Sequence, residues 1–258
     1  MDAVYELRDG SVYATELSRG PWDPGAQHGG GPAAMLMREF ERCGDASLAI
    51  GRVTYELLRP VPLGELRVWA SVLRPGRRVQ LLEGSMWSPD GVEVVRARAL
   101  RVARAPVSAS VGRVLRMSPG PEAGRLVEFP HRVGPLFPVD AMEIRFVAGS
   151  FTEAGPSSAW FRLKVPLVAG ETPSGYQRLA AAADFPNGIA TELDWNRWLF
   201  INPDLSIHIE REPVGEWIGL DATMRVAADG CGQSEAVLYD LDGRVGRSLQ
   251  TLYVAPRS

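Results

Sequence analysis

Arg211-Glu212-Pro213-Val214-Gly215-Glu216 decides the fold of this chain, because a version of it occurs twice. The earlier copy is Arg59-Pro60-Val61-Pro62, with Gly64-Glu65 returning as Gly215-Glu216 after a shift of one residue. From each arginine the same landmarks recur. An acid lies 24 residues on (Glu83, Glu235), an aromatic 28 on (Trp87, Tyr239), a hairpin glycine 32 on (Gly91, Gly243) and a valine 43 on (Val102, Val254). Any one match is cheap. Their shared offsets inside matching strand patterns indicate an internal duplication.

Outward from these anchors, apolar and polar residues alternate with a period of two, which reads as strands. In the first half the strands are Arg52–Leu58, Glu65–Leu73, Val79–Trp87 and Val92–Val102. In the second they are Ala141–Ala148, Ala159–Val165, Trp198–Glu210, Trp217–Val226, Gln233–Tyr239 and Val245–Val254. Pro89-Asp90-Gly91 and Asp242-Gly243 are hairpin signals. Two segments read as helices. Pro32–Arg42 is rich in strong helix formers and follows a glycine run. Thr172–Ala183 has Thr172 at an N-cap position and Pro173 at the first helical position. The pattern predicts an α+β chain of two fused repeats, each an antiparallel sheet wrapped around one long helix. The boundaries read as 1–104, a Pro-, Gly- and Ser-rich linker over 105–138, and 139–258.

Composition bounds the function. With 258 residues, 45% apolar and 23% charged, the chain has the makeup of a globular protein with a sizeable core. Net charge is 28 − 31 = −3, which argues against a nucleic-acid binder. No run of residues has the length and apolarity of a membrane span. The start, Met1-Asp2-Ala3-Val4-Tyr5-Glu6, lacks a basic region and an apolar run, so no signal peptide is expected. Two cysteines, Cys43 and Cys231, make no disulfide framework, and a cytoplasmic protein is the expectation.

His28-Gly29-Gly30-Gly31 is similar to the oxyanion loop of α/β-hydrolases, but that fold needs G-x-S-x-G, which the sequence lacks. Glycines ahead of a helix leave backbone N–H groups uncovered for an anion or a carbonyl oxygen; they equally permit a tight turn and close helix packing. Neither GxxxxGK[ST] nor GxGxxG occurs. His28, His131 and His208 lie too far apart to suggest a metal site. Trp195, Trp198 and Trp217 read as core rather than ligand-stacking residues. Asp184 closes the apolar run Leu179–Ala183. A carboxylate there faces the negative end of the helix dipole, which with burial would raise its pKa and suit it to act as a base. A turn-forming Asp ahead of Pro186-Asn187-Gly188 is the competing reading. Gln250 sits mid-strand, where Ser248, Gln250, Leu252 and Val254 share one face and Leu249, Thr251 and Tyr253 the other; both faces are expected to be substantially buried, so its amide either satisfies a backbone edge or orients a reactant. At the same offset from Arg59 the first copy has Arg98, so the halves differ here.

The stretch Ala183-Asp184, Trp198-Leu-Phe-Ile-Asn-Pro-Asp204, His208-Ile-Glu-Arg211, Pro213, Gly215-Glu216-Trp217, Gly232, Tyr239-Asp240, Asp242-Gly243 and Gln250 resembles the TesB-like acyl-CoA thioesterases, their actinobacterial branch in particular. His28-Gly-Gly-Gly31 and Arg59-Pro-Val-Pro62 resemble the first half of the same family. The resemblance implies a double hotdog fold and hydrolysis of an acyl-CoA or related thioester in lipid metabolism. It implies a catalytic Asp on the second helix, a Thr or Ser on a following strand and a Gln on the last strand. Asp184 and Gln250 match the first and last. An ungapped count from Glu216-Trp217 puts the middle position on Arg225; Thr223, two residues earlier on the same strand face, is assigned to it. His28, Gly29, Gly30 and Gly31 are assigned to substrate binding. No cofactor is implied beyond the CoA of the substrate, the partner is a small-molecule acyl thioester, and a homodimer or higher homo-oligomer is expected. The alternatives are a non-catalytic acyl-thioester binder or repurposed biosynthetic hotdog protein, and a hotdog hydratase or dehydratase. The last would need a paired His and acid, for which His28 is the candidate.

Overall fold

The computed structural model describes residues 2–106, 114–130 and 134–257. In chain order its strands and helices are β1 (Tyr5–Arg8), β2 (Ser11–Ala14), α1 (Gly30–Arg42), β3 (Leu48–Leu57), β4 (Gly64–Arg74), β5 (Val79–Trp87), β6 (Glu93–Ala103) and β7 (Arg125–Leu126). The second half adds β8 (Met142–Ala148), β9 (Ser157–Leu163), α2 (Gly175–Ala182), α3 (Pro186–Ile189), β10 (Trp198–Ile201), β11 (Asp204–Ile209), β12 (Ile218–Val226), β13 (Cys231–Asp240) and β14 (Gly243–Pro256). The strands form one sheet in the order β1-β2-β4-β5-β6-β3-β11-β14-β13-β12-β9-β8-β7, with β10 also on β14. This is the double hotdog: two antiparallel sheets joined edge to edge, each wrapped on its own helix.

The join shows why the two halves are copies. β3 pairs with β11 so that Thr54 lies opposite Ser206, and Glu56↔Asp204 mirrors Arg52↔His208. A pseudo-twofold axis therefore passes between Thr54 and Ser206. The flanking registers repeat as well: Leu48↔Ala103 and Ala49↔Val102 in one half correspond to Phe200↔Val254 and Ile201↔Tyr253 in the other. Leu58 N donates to Val94 O as Glu210 N donates to Val245 O. The duplication read from Arg59 and Arg211 is thus real in three dimensions.

One detail of the repeat alignment is corrected. The turn between Trp87↔Glu93 spans residues 88–92, whereas that between Tyr239↔Arg244 spans 240–243. The extra residue displaces every later offset by one. Gln250 pairs with Ser234, and the matching pair in the first half is Leu82↔Ala99. The counterpart of Gln250 is therefore buried Ala99, not exposed Arg98. A one-residue slip moves a side chain to the other sheet face.

The helices begin and end close to expectation. α1 starts two residues early, inside the glycine run, and buries Met35, Leu36, Met37 and Phe40 completely. α2 is capped by Ser174, whose hydroxyl accepts from Gln177 N, rather than by Thr172. α1 and α2 run head to tail: Arg38 near the end of α1 pairs with Glu171 before α2, and Gln177 Nε2 donates to Glu41. The segment expected as a linker passes along the second repeat, adds β7 beside β8 and buries Leu136 and Phe137. Residues 107–113 and 131–133 of that segment, including His131, lie outside the described residues. His208 is exposed on β11, and Trp195 is buried with Phe200, Met224 and Leu252. No helix among the described residues is long and apolar enough to cross a membrane.

The second hairpin is fastened at its root. Buried Asp240 accepts from both Arg211 amino groups at 2.6 and 2.5 Å and from the backbone N–H groups of Val214, Asp242 and Gly243. Asp240→Ala should lower stability by about 2 kcal/mol, below the cost for a fully buried pair, because Arg211 is 37% exposed. A urea midpoint unchanged by the substitution would show that Asp240 does not fasten the hairpin.

Candidate active site

The sequence places Asp184 between two helices. α2 ends at Ala182, and Pro186 starts the single turn of α3. Asp184 falls in the break and is 4% exposed. Gln250, fully buried on β14, donates through Nε2 to Asp184 Oδ1 at 3.1 Å and to the Asp184 carbonyl at 3.3 Å. The Gln250 amide oxygen accepts from Asn187 N at 3.3 Å. The two residues that the sequence singled out on separate elements are thus brought together.

Thr223 is not brought there. It lies opposite Glu235, and the β14 partner of Glu235 is Leu249, so Thr223 shares the outer sheet face. Met224 and Ser234 occupy the inner face with Gln250. Arg225 has the same outward parity as Thr223 and is exposed. The assignment of Thr223 is therefore corrected.

Asn202 occupies the third place instead. Its Nδ2 donates to Asp184 Oδ1 at 2.8 Å and to the Asp204 carbonyl at 3.1 Å. Asn187 Nδ2 in turn reaches Asn202 Oδ1 at 3.5 Å. Asn202 reaches the site because the single strand expected over Trp198–Glu210 is broken into β10 and β11. Pro203 has no N–H for the ladder and marks the break. Two signals for it were in the sequence: a proline inside a strand pattern, and Ile50 at the repeat position of Asn202.

The opposite wall comes from the first repeat. His28 Nδ1 lies 3.3 Å from Asp184 Oδ2, and a Cβ on Gly29 would come within 2.6 Å of that oxygen. His28 and Gly29 thus face Asp184 within one site. His28 Nδ1 accepts from Gly30 N at 3.0 Å, which leaves the ring proton on Nε2. The ring stacks on Phe185 and Phe137, with centroids at 4.4 and 5.2 Å. Burial pushes the His28 pKa down to about 3, so the ring is neutral and its approach to Asp184 is not an ion pair. Gly31 sits below the site, where a Cβ would crowd the Tyr5 hydroxyl.

Burial pushes the Asp184 carboxyl up from 3.8 to about 7. Hydrogen bonds from Asn202, Gln250 and Gly30 N–H act against that shift. The predicted rise is present, with desolvation as its first cause. Oδ1 is occupied by two amide donors, while Oδ2 faces the start of α1. Such a carboxyl exchanges a proton near neutral pH. A cavity of about 490 Å³ opens beside it, lined by Trp22, His28, Leu57, Arg59 and Asn202 among others. Among the described residues no cluster of His, Cys, Asp and Glu has the arrangement of a metal site.

Duplicated hotdog sheets around a carboxyl poised near neutrality, beside a largely apolar cavity, define a class: hotdog proteins of acyl-thioester chemistry. The profile of the acyl-CoA thioesterase C-terminal domain matches residues 117–254, and that of the N-terminal domain matches residues 18–102. The chain belongs to the acyl-CoA thioesterase family and is a thioester hydrolase. Solved structures share the fold. A provisionally assigned thioesterase II of Thermobifida fusca is 18% identical, with a TM-score of 0.77 over 97% of this chain and 94% of that one. A hot dog protein of unknown function from Alicyclobacillus acidocaldarius is 16% identical, at 0.73 over 98% and 96%. The acyl-CoA thioesterase II TesB2 of Mycobacterium marinum is 15% identical, at 0.70 over 98% and 95%. No curated protein matches the chain significantly.

Gly30 tests how tightly the two repeats must close here. A methyl group on it would overlap the Ala181 carbonyl oxygen. Gly30→Ala should therefore cost about 1–3 kcal/mol, as overpacking does, and lower activity with it. An unchanged thermal midpoint with full activity would mean that the helices separate freely.

Proposed function

We propose that the chain hydrolyses the thioester of an acyl-CoA with water as nucleophile and Asp184 as general base. The observation that carries this reading is the buried Asp184 carboxyl, one oxygen held by two amides and the other turned toward the cavity wall. Gln250 and Asn202 fix the carboxylate and leave Oδ2 to take the proton. Water attacks the thioester carbonyl carbon as its proton passes to Oδ2. The carbonyl π-bond electrons move to oxygen, and the Nε2–H of His28, at the positive end of α1, receives that charge. Collapse of the tetrahedral species breaks the C–S bond, and the CoA sulfur leaves with the proton from Asp184. The reaction so written needs only water besides the substrate, and we assign no cofactor.

Each chain carries one such site in this proposal. The repeat counterparts of Asn202 and Gln250 are Ile50 and Ala99, neither of which donates a side-chain hydrogen bond. We also propose a homodimer, because Trp69, Leu73 and Leu249 leave apolar surface exposed on the sheet. One observation favours a second reading. His28 and Asp184 do form the pair that hydration of an enoyl thioester would use. Release of free thiol from saturated acyl-CoA supports hydrolysis; loss of enoyl absorbance without thiol release supports hydration.

Asp184→Asn should lower kcat by about 10²–10⁴ while preserving the fold. Wild-type kcat/KM should rise with pH through about 7, as Asp184 ionises. A profile that falls through that range, or a variant keeping a third of the activity, would falsify the base assignment.

Asn202→Ala should reduce kcat at least tenfold, whereas Thr223→Ala should leave it within twofold. Thiol-release assays on the two purified variants separate them. A large effect of Thr223→Ala alone would restore the position inferred from sequence.

A further inference from the structure

The repeat comparison isolates one residue that the proposed mechanism does not use. Arg211 and Arg59 occupy equivalent places, as the matching Glu210 N–Val245 O and Leu58 N–Val94 O bonds establish. In the second repeat Arg211 is clamped by Asp240, and it also donates to the Gly243 carbonyl at 3.1 Å. In the first repeat the clamp is gone on both sides. Ser88 stands where Asp240 does, and its hydroxyl is spent on Asp90 and on the Val92 carbonyl. Pro62 stands where Val214 does and has no N–H to offer. Arg59 is exposed and has no side-chain partner among the described residues.

Arg59 also lines the cavity that holds Asp184, Asn202 and His28, and it is the only Lys or Arg among the described residues lining it. The one nearby acid in that lining besides Asp184 is Asp23, whose carboxylate is turned onto the N–H of Gly25 at 2.7 Å. Leu57, Leu58, Ile201 and Tyr253 give the rest of the mouth an apolar character. An unpaired guanidinium beside an apolar mouth, with the reacting carboxyl buried behind it, matches a ligand with a charged end outside and a neutral chain leading inward.

We infer that Arg59 is the anchor for the phosphate groups of CoA at the cavity mouth, freed for that task by the loss of the clamp that holds Arg211. The inference rests on the acyl-CoA reading of the site. A guanidinium presents paired donors that match phosphate oxygens. The pantetheine arm then leads past the apolar rim toward Asp184. Arg59 acts on binding and not on the chemical step.

The test compares an acyl-CoA with the same acyl group on N-acetylcysteamine, which keeps the thioester and lacks phosphate. Arg59→Gln should raise KM for the acyl-CoA about tenfold, which corresponds to about 1.4 kcal/mol. It should leave kcat within twofold and leave kcat/KM for the phosphate-free thioester unchanged. Arg59→Lys, which keeps the charge, should recover part of the loss. Equal losses on both substrates, or none on either, would overturn the assignment. A loss confined to thioesters whose acyl group ends in a carboxylate would also overturn it, placing the anion at the acyl end. Calorimetry with CoA and with pantetheine keeps the inference separate from activity. If wild-type protein hydrolyses nothing but binds CoA more tightly than pantetheine, and Arg59→Gln erases the difference, the anchor stands while the hydrolysis reading fails. If wild-type protein binds the two equally, the anchor fails.

Discussion

The site depends on how closely the start of α1 can approach the end of α2. At Gly29 and Gly30 there is no side chain, and any Cβ would collide with the Asp184 carboxylate or the Ala181 carbonyl. This contact brings His28 to Asp184 and leaves the carboxyl open only toward the cavity. It also sets the positive end of one helix against the negative end of the other. Asp184 lies in the gap, where burial raises its pKa and the Gly30 N–H partly offsets the rise. Had the helices stood further apart, water would have entered, and the carboxyl would have had an ordinary pKa and no fixed orientation.

Duplication supplied the skeleton, and divergence supplied the chemistry. The two halves share strand registers on both sides of the Thr54–Ser206 axis. Among the positions at which they differ are those that converge on the helix ends. Gln250 and Asn202 surround a carboxylate in one half; Ala99 and Ile50 fill the equivalent places in the other. The asymmetry runs the opposite way at the hairpin roots, where the second half keeps its Arg–Asp clamp and the first has dismantled it.

A buried carboxyl of this kind works against the fold. Its folded pKa lies above its unfolded value, so the native state holds the proton more tightly. The contribution to stability is fully present below about 3.8 and is lost as pH rises toward and through about 7. Near neutrality the protein therefore gives up stability to keep a base that is only half ionised. The amides of Gln250 and Asn202 limit that loss, which is why they are buried with the carboxyl. Stability and the capacity to accept a proton are opposed in the same side chain.

The sequence alone determined the duplication, the α+β architecture and most strand spans, because the period-two pattern and the Arg-Pro-Val landmarks are local features that burial on one sheet face enforces. It also drew attention to Asp184, after an apolar helix, and to Gln250, mid-strand, and the family resemblance chose the catalytic reading for both over a turn former and a backbone partner. Only the inner face of the Gln250 strand is buried; Leu249, Thr251 and Tyr253 on the other face are exposed, against the expectation that both faces are covered. Tertiary structure alone decided which residue completes the site. Thr223 and Asn202 are both polar and near strands, and what separates them is sheet parity and the break at Pro203, neither of which spacing along the chain can count reliably. The mistaken counterpart Arg98 has the same origin, since one extra hairpin residue inverts a face. His28 lies 156 residues from Asp184 in sequence. Only the packing of one repeat's glycine turn on the other repeat's helix end brings them together, because contact across the pseudo-twofold axis is a property of the closed sheet and not of either segment.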